Sequence, residues 1–541
     1  MNNRTDIRRI IALAFLLTAS IAVQAGGTSA GEAIYRNGVL PSGRALVAER
    51  EGGVRIEGAT AACINCHRRS GLGMREGRAS IPPIAGRYLF HPRAQTADDL
   101  DLPYVEGMKP DRDPYTNATL ARAIRQGVGA DGKPLSYLMP RYAFDDKEMS
   151  ALIAYLNKLS PGAVPGVTPT VLHFATIITP DADPVKRQGV VDVLQKFFAE
   201  KNRRTRADSP RLHSSRRMMF MVNRHWELHV WELTGAPDTW EGQLRARLAA
   251  EPVFAVISGL GGKTWAPVHR FCELESLPCL FPNVELPVVA ERDFDNLYLS
   301  KGVLLEAQLI ARQVAAGGET PLQRVLQVYR ANDVGKDAAA ALASELGNER
   351  MAISNRVLGA ARSPGDVQAA LRSIGDNTAV VLWLRADDIS ALGPLPEGVR
   401  VVFMSGRMSG LERAPLPAAW RSVTHMAYPV DLPERRRVRL DYPLGWFRIW
   451  QIPVVAQEEQ ADTYLACGIV SETINHMADT FVRDYLVERI EGMLEHRAIT
   501  GYYPRLALAQ GQRFASKGGY VVHFADEKGS RIVADGDWIA P

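Results

Sequence analysis

Three residues near the start of the chain are spaced to do chemistry: Cys63, Cys66 and His67, in the run Cys63-Ile64-Asn65-Cys66-His67. C-x-x-C-H is the pattern that attaches haem covalently. Each thiol forms a thioether to one vinyl group. Two intervening residues on a turn place both sulfurs along one porphyrin edge. His67 then offers its imidazole to the iron from the proximal side. A zinc site and a redox dithiol are the competing readings of such a pair. A structural zinc site needs four ligands, and no second pair with ligand spacing lies in the same stretch. His67 beside the thiols favours haem over the dithiol. The expectation is one haem c and one-electron chemistry.

A low-spin haem iron needs a second axial ligand, and a thioether raises its potential. The downstream candidates are Met74, Met108, Met139 and Met149. Met139 lies in Leu135-Ser136-Tyr137-Leu138-Met139-Pro140-Arg141-Tyr142, after Gly132 and Pro134, which mark an irregular loop. Such a loop suits the distal face. Met149 belongs to an apolar stripe with Leu152, Ile153, Leu156 and Leu159 and reads as core of a helix that Asp145 begins. Met74 and Met108 sit in Gly-containing loops.

The elements around these residues fit a known family. Residues 31 to 162 resemble a class I cytochrome c, of the type in subunits that serve periplasmic dehydrogenases. The resemblance rests on Thr119-Leu120-Ala121-Arg122-Ala123-Ile124-Arg125-Gln126-Gly127, Asp131-Gly132-Lys133-Pro134-Leu135, Met139-Pro140-Arg141-Tyr142 and Leu152-Ile153-Ala154-Tyr155-Leu156. It implies an all-α bundle whose first helix, from Gly31 to Tyr35, crosses the last. In Pro82-Pro83-Ile84-Ala85-Gly86 it implies that the Pro82 carbonyl accepts a hydrogen bond from the proximal His67. The long stretch before Cys63, with Ser42-Gly43-Arg44 and Gly52-Gly53, departs from the family and suggests a hairpin-like excursion.

The flanking segments set the compartment. Arg4, Arg8 and Arg9, the apolar run Ile10 to Val23 and the ending Val23-Gln24-Ala25 read as a signal peptide over 1–25. The run is short for a bilayer span, and no later segment offers 18 uninterrupted apolar residues. Export to the periplasm is expected, with no membrane span after cleavage. The formal charge is +4, and residues 1–25 carry three Arg and one Asp. So small a balance gives no argument for nucleic acid. Arg203 to Arg217 and Arg435 to Arg439 are clusters that read as solvated faces or as a docking patch for an acidic partner.

With 541 residues the chain exceeds one core. The cytochrome domain is expected over 26–160, and a Pro/Gly-rich linker over 161–169. Residues 170–541 alternate strand-like runs with amphipathic helices, the pattern of parallel sheets covered by helices. Expected strands include Val171 to Ile178, Leu228 to Leu233, Val253 to Ser258, Arg324 to Tyr329, Ala379 to Leu384 and Val399 to Met404. Order and length resemble the type I periplasmic binding proteins, the branched-chain amino-acid-binding-like receptors of ABC transporters, which implies a two-lobed α/β fold. Val256-Ile257-Ser258-Gly259-Leu260-Gly261-Gly262 matches the family turn that binds a ligand carboxylate at the interlobe cleft. The resemblance therefore assigns ligand binding to Ser258, Gly259 and Gly261, for a small anionic or amino-acid-like ligand. Two departures stand against it: Ile178-Thr179-Pro180-Asp181-Ala182-Asp183-Pro184 is not Gly-rich, and the Arg-rich insertion near 203–217 is unusual.

The remaining cysteines and histidines are weaker signals. Cys272 and Cys279 have a spacing that permits a disulfide in an oxidising compartment, leaving Cys467 as a buried thiol. His225 and His229 are four apart, and on a helix would share a face. The segment runs into an expected strand, where such residues lie ~13 Å apart, so packing or surface roles are expected. No G-x-S-x-G, P-loop or H-E-x-x-H is present. An electron carrier is expected rather than an enzyme, reduced by a periplasmic dehydrogenase or another donor and oxidised toward the respiratory chain. A ligand-binding receptor with a regulatory haem is the alternative. A peroxidase would need an open distal position, at odds with Met139.

Overall fold

A computed structural model describes residues 29–541, apart from 77–78, 91–112, 160–162, 209–223, 291, 317–321, 348–350, 364, 478–479 and 527–530. The signal peptide over 1–25, Met108, the start of the linker and most of the Arg203–Arg217 cluster lie outside the described residues. Two compact units emerge: Met1–Asn65 with Tyr115–Lys158, and Cys66–Pro114 with Leu159–Pro541. The chain passes from one to the other inside the haem motif. That differs from the single boundary expected at residue 160.

In the smaller unit, Ala30–Glu32 is helical and continues into a π-turn at Ala33–Asn37. This short element packs against the helix Asp146–Lys158. Gly31 makes the approach possible, since a Cβ there would fall 2.1 Å from Ala151 O. Tyr35 and Tyr155 meet beside it with ring centroids 5.3 Å apart. Thr116 caps the helix Asn117–Gln126 in a reciprocal pair with Thr119. The expected all-α character is corrected. Val47–Arg50 and Val54–Glu57 form a hairpin about Gly52-Gly53, and Arg141–Tyr142 adds a third antiparallel strand. Gly52 and Gly53 have φ of +88° and +79°, which the turn requires. The excursion before Cys63 is therefore a sheet.

The larger unit contains two parallel sheets. The first has β1 Val171–Ile178, β2 His225–Glu232, β3 Ala255–Ile257, β4 Cys279–Leu280 and β5 Asn296–Leu297. The second has β6 Arg324–Arg330, β7 Ala352–Leu358, β8 Thr378–Trp383, β9 Val401–Ser405, β10 Thr424–Tyr428, β11 Tyr520–Phe524 and β12 Ile532–Ala534. The spatial orders are β5-β4-β3-β1-β2 and β7-β6-β8-β9-β10-β11-β12, with only the last two strands antiparallel. Both sheets thus start with the same doubly wound order, and both reverse direction beside their first strand. β1, β3, β6, β8 and β9 fall within two residues of their expected bounds, and β2 begins three residues before its expected start. β5, β7, β10, β11 and β12 had no expectation. The alternation of β7 is mostly exposed, as suits an edge strand.

A test follows from the helix contact in the smaller unit. Gly31→Val forces a side chain into the Ala151 carbonyl. The expected loss is about 1–3 kcal/mol, read as a lower urea midpoint for that unit at unchanged m-value.

Candidate functional site

Ile64–His67 forms a single helical turn, so the Cys63-x-x-Cys66-His67 run has the turn-into-helix form that the haem motif needs. His67 is buried, 6% exposed. Its Nδ1–H donates to Pro82 O at 3.1 Å. That fixes the tautomer and leaves Nε2 with a lone pair. Burial pushes the imidazole down to about 4, the Pro82 carbonyl partly opposing. A neutral ring is what a metal needs.

The residues that follow are tied down hard. Arg68 adopts a left-handed φ of +64°, which costs a non-glycine residue free energy unless its surroundings impose it. The surroundings are ionic. Arg68 and Arg513 both donate to the Glu491 carboxylate, and all three side chains are buried. Arg69 Nε donates to Asp484 Oδ2 at 3.2 Å, and its guanidinium lies 4.4 Å over the Phe294 ring. Ser70 N donates to Glu488 Oε1 at 2.9 Å and Ser70 Oγ to Oε2 at 2.5 Å. Asp484, Glu488 and Glu491 share the helix Arg483–Met493. Leu72, Ala85 and Tyr88 complete the anchor by joining the main apolar core of the larger unit. These contacts explain why the chain that follows Asn65 joins that unit as far as Pro114.

A cleft of about 560 Å³ lies between the two sheets. Its walls are the loops after β1, β3, β4 and β5 on one side and after β6 to β9 on the other. It therefore opens at the carboxyl ends of the strands, where doubly wound folds bind ligands. Seven carboxylates and six cations line it. Arg385 grips Glu285 through two bonds of 2.7 and 2.6 Å and Asp333 through two of 2.8 and 2.6 Å. The Glu285 pair joins the loop after β4 to the loop after β8. Arg407, after β9, meets Glu458 at 2.8 Å and donates to Tyr503 OH at 3.1 Å. Tyr503 OH in turn donates to Asp462 Oδ2 at 3.0 Å. Burial pushes the Asp462 carboxyl well up, with Glu458 adding to it. Glu458 and Asp462 belong to the helix Gln457–Met477.

The Gly-rich turn behaves differently from a ligand cradle. Gly261 lines the cleft, but Ser258 and Gly259 do not. Ser258 is fully buried at φ +48°, and its hydroxyl bonds Thr463 Oγ1 at 2.7 Å and Asn283 Nδ2 at 2.9 Å. Gly259 lies against Trp265. The amides of Ser258, Leu260 and Gly261 donate to Leu280, Ile177 and Asn283 carbonyls. Gly262 N donates to Thr179 Oγ1 at 3.0 Å and Lys263 N to Asp181 Oδ2 at 2.8 Å. These donors are spent within the protein. Thr179 and Asp181 come from the very segment that departs from the family. The cleft residues that carry charge, Glu285, Arg385, Arg407 and Glu458, had no sequence signal, because no motif surrounds them.

Comparison with known proteins agrees with the haem motif. Residues 56–160 match the family described as Cytochrome c. No curated protein matches the chain. A substrate-binding protein of an ABC transporter from Aeropyrum pernix gives a TM-score of 0.49 at 11% identity, covering 69% of this chain and 96% of that one. A possible leucine/isoleucine/valine-binding protein from Rhodopirellula baltica gives 0.48 at 14%, covering 68% and 97%. A fatty acid ABC transporter substrate-binding protein from Thermomonospora curvata gives 0.45 at 14%, covering 70% and 95%.

The cytochrome c family implies haem c, and the residues present fit it. His67 is buried, neutral and held by Pro82, with Nε2 available. In the smaller unit Met139 is half-buried in a turn closed by its own N–H to Ser136 O at 2.9 Å. Its neighbours Tyr137 and Leu138 are 68% and 38% exposed, an apolar surface suited to a porphyrin. Met149 is buried on its helix, as a core residue. Met74 opens the short strand Met74–Glu76. Cys272 and Cys279 are free buried thiols, and Cys467 is a third. The possible disulfide is not formed. Burial pushes the Cys272 thiol well up, with the neighbouring Cys279 adding to it. Among the described residues, no helix is long and apolar enough to cross a membrane.

Glu488 gives this anchor a pH dependence. Burial pushes its carboxyl up to about 8, with Arg68 opposing. The folded chain then holds a proton that the unfolded chain releases near its usual 4.5. Between those values the folded state binds more protons, so stability falls as pH rises from about 4.5 through 8. Glu488→Gln is expected to flatten that limb of a urea-denaturation pH profile. An unchanged slope would refute the assignment.

Proposed function

We propose that the chain is a periplasmic c-type cytochrome. It carries one haem through Cys63 and Cys66, with His67 and Met139 as axial ligands and Pro82 orienting the proximal ring. It passes single electrons between a donor such as a periplasmic dehydrogenase and the respiratory chain, and performs no enzymatic turnover. The observation that carries the reading is His67: buried, neutral, and fixed at Nδ1 so that Nε2 is the ligating atom. Bound haem c supplies reversible one-electron chemistry at its iron. The protein supplies the rest. His67 holds its lone pair in place, the Pro82 carbonyl raises its basicity, and the Met139 thioether favours the ferrous state.

A second reading, a receptor whose haem reports ligand, is favoured by one arrangement. The helix Gln457–Met477 places Glu458, Glu459 and Asp462 in the cleft and packs on the helix Arg483–Met493. The latter anchors Arg68, Arg69 and Ser70. Two packed helices therefore run from the cleft to the residues after His67. The cleft, with both signs of charge and its turn amides already bonded, suits a zwitterionic, amino-acid-like ligand better than a simple anion.

Two measurements test these readings. Met139→Ala is expected to lower the reduction potential by on the order of 0.1 V, within the ~0.8 V that axial ligands command, and to change the ferric spectrum. An unchanged spectrum would remove Met139 as ligand. The full haem-loaded chain is also to be melted against amino acids, carboxylates, alcohols and aldehydes. A cleft ligand is expected to raise the melting temperature by mass action and to shift the potential in the same titration. A ligand that raises the first without moving the second would leave electron transfer separate from binding.

A further inference from the structure

β1 and β2 are parallel neighbours, with His173 opposite Glu227 and Ala175 opposite His229. Side chains two residues apart on a strand share a face. Glu227 and His229 therefore project from β2 on the face that His173 takes from β1. His229 meets His173, and not the His225 suggested by sequence spacing.

Three potential ligand atoms converge there. His173 Nδ1 and His229 Nε2 are 3.1 Å apart and share a hydrogen bond that a metal ion would replace. Glu227 Oε2 lies 3.6 Å from His173 Nδ1, and Oε1 lies 3.8 Å from His229 Nε2. The carboxylate is too far for a good hydrogen bond to either ring. Ligand atoms around a tetrahedral zinc, at about 2.0–2.2 Å from the metal, sit roughly 3.3–3.5 Å from one another. The observed spacings straddle that value.

The surroundings also match a metal site. The other nitrogen of His229, Nδ1, faces Glu251 Oε2 at 3.4 Å. That oxygen is itself held by Trp231 Nε1 at 2.9 Å. A carboxylate behind a histidine fixes its tautomer and raises its basicity as a ligand. Glu227 is the most exposed of the three, 55% at its side chain, which gives an ion an entry path. Among the described residues a second grouping, His269, Glu273 and Asp293, has similar composition. There the donors and acceptors are already matched: His269 Nδ1 contacts Tyr298 OH at 2.7 Å and Nε2 contacts Asp293 Oδ2 at 2.6 Å. Glu273 accepts from the amides of Phe294, Asp295 and Asn296.

We propose that His173, Glu227 and His229 bind one divalent transition-metal ion of the zinc class, with a fourth position open to water. Imidazole and carboxylate donors select such an ion over calcium or magnesium. The site lies toward the amino end of β1, remote from the carboxyl ends that face the cleft. It would pin the edge strand β2 to β1, just after the segment that joins the cytochrome region to this sheet.

The test uses the full haem-loaded chain, dialysed against chelator and titrated with zinc chloride. Calorimetry with elemental analysis is expected to find one zinc per haem iron. His173→Gln and His229→Gln are each expected to weaken binding at least tenfold, while His523→Gln, in a separate histidine pair, leaves it unchanged. X-ray absorption at the zinc edge should show nitrogen and oxygen ligands only. A sulfur shell would assign the zinc to Cys272, Cys279 or Cys467 and overturn the proposal. So would no uptake, or equal uptake by the double histidine variant. If that variant does not fold, the exposed Glu227→Gln gives the same comparison.

Discussion

Two guanidinium groups meet one carboxylate at Glu491, and none of the three side chains is more than 8% exposed. Much else follows from that contact. A buried carboxylate with a single cation would carry a large desolvation penalty. Two cations supply more donors than one, and removing Glu491 would leave two buried guanidiniums without their shared partner, a loss of about 3–5 kcal/mol. Arg68 comes directly after His67 and stands in the left-handed region. Its backbone conformation is one that the Glu491 pair can hold and that local sequence would not. His67 is thereby positioned from both sides: by Pro82 at its ring, and by Arg68 at its backbone.

The same ionic logic governs the cleft. Arg385 to Glu285 and Arg407 to Glu458 each join elements from the two sides of it. Most of the bonds these charges make are to one another, while the buried atoms Arg407 Nε and Asp462 Oδ1 keep no hydrogen-bond partner, so an apolar ligand would replace none of them. A ligand with charges of its own can exchange partners instead. The Gly-rich turn beside the cleft is a structural corner. Gly262 has no side chain because the Asp181 carboxylate stands where a Cβ would be, 2.3 Å away. The glycine pattern that resembles a ligand-binding turn here serves an internal one.

The haem motif was legible because its chemistry is local in sequence. Five consecutive residues hold both thiols and the imidazole, and Pro82 lies only 15 positions on. The alternation of strands and helices after residue 170 was legible for a similar reason: β3 and β8 are apolar runs, and β1 and β6 are broken inside only by His173, Thr176 and Gln327, as suits buried parallel strands. What was not legible depends on distant pairing. Glu491 is 423 positions from Arg68, and neither residue carries a motif. His173 and His229 are 56 apart, and only the register of two parallel strands brings them together. The hairpin before Cys63 had its turn glycines as a signal, yet the third strand at Arg141–Tyr142 is too short to show any periodicity.

The division of the chain into units bears on how a binding event could reach the haem. The break falls between Asn65 and Cys66, so one thiol belongs with the smaller unit and the other, with His67, with the larger. The helix Arg483–Met493 holds Arg68, Arg69 and Ser70 through Glu491, Asp484 and Glu488, so a shift of that helix would be felt at the residues after His67. Coupling of this kind requires that element to have two arrangements that the cleft ligand distinguishes. The charges that bridge the cleft supply the physical basis for two: paired with each other, or paired with a ligand.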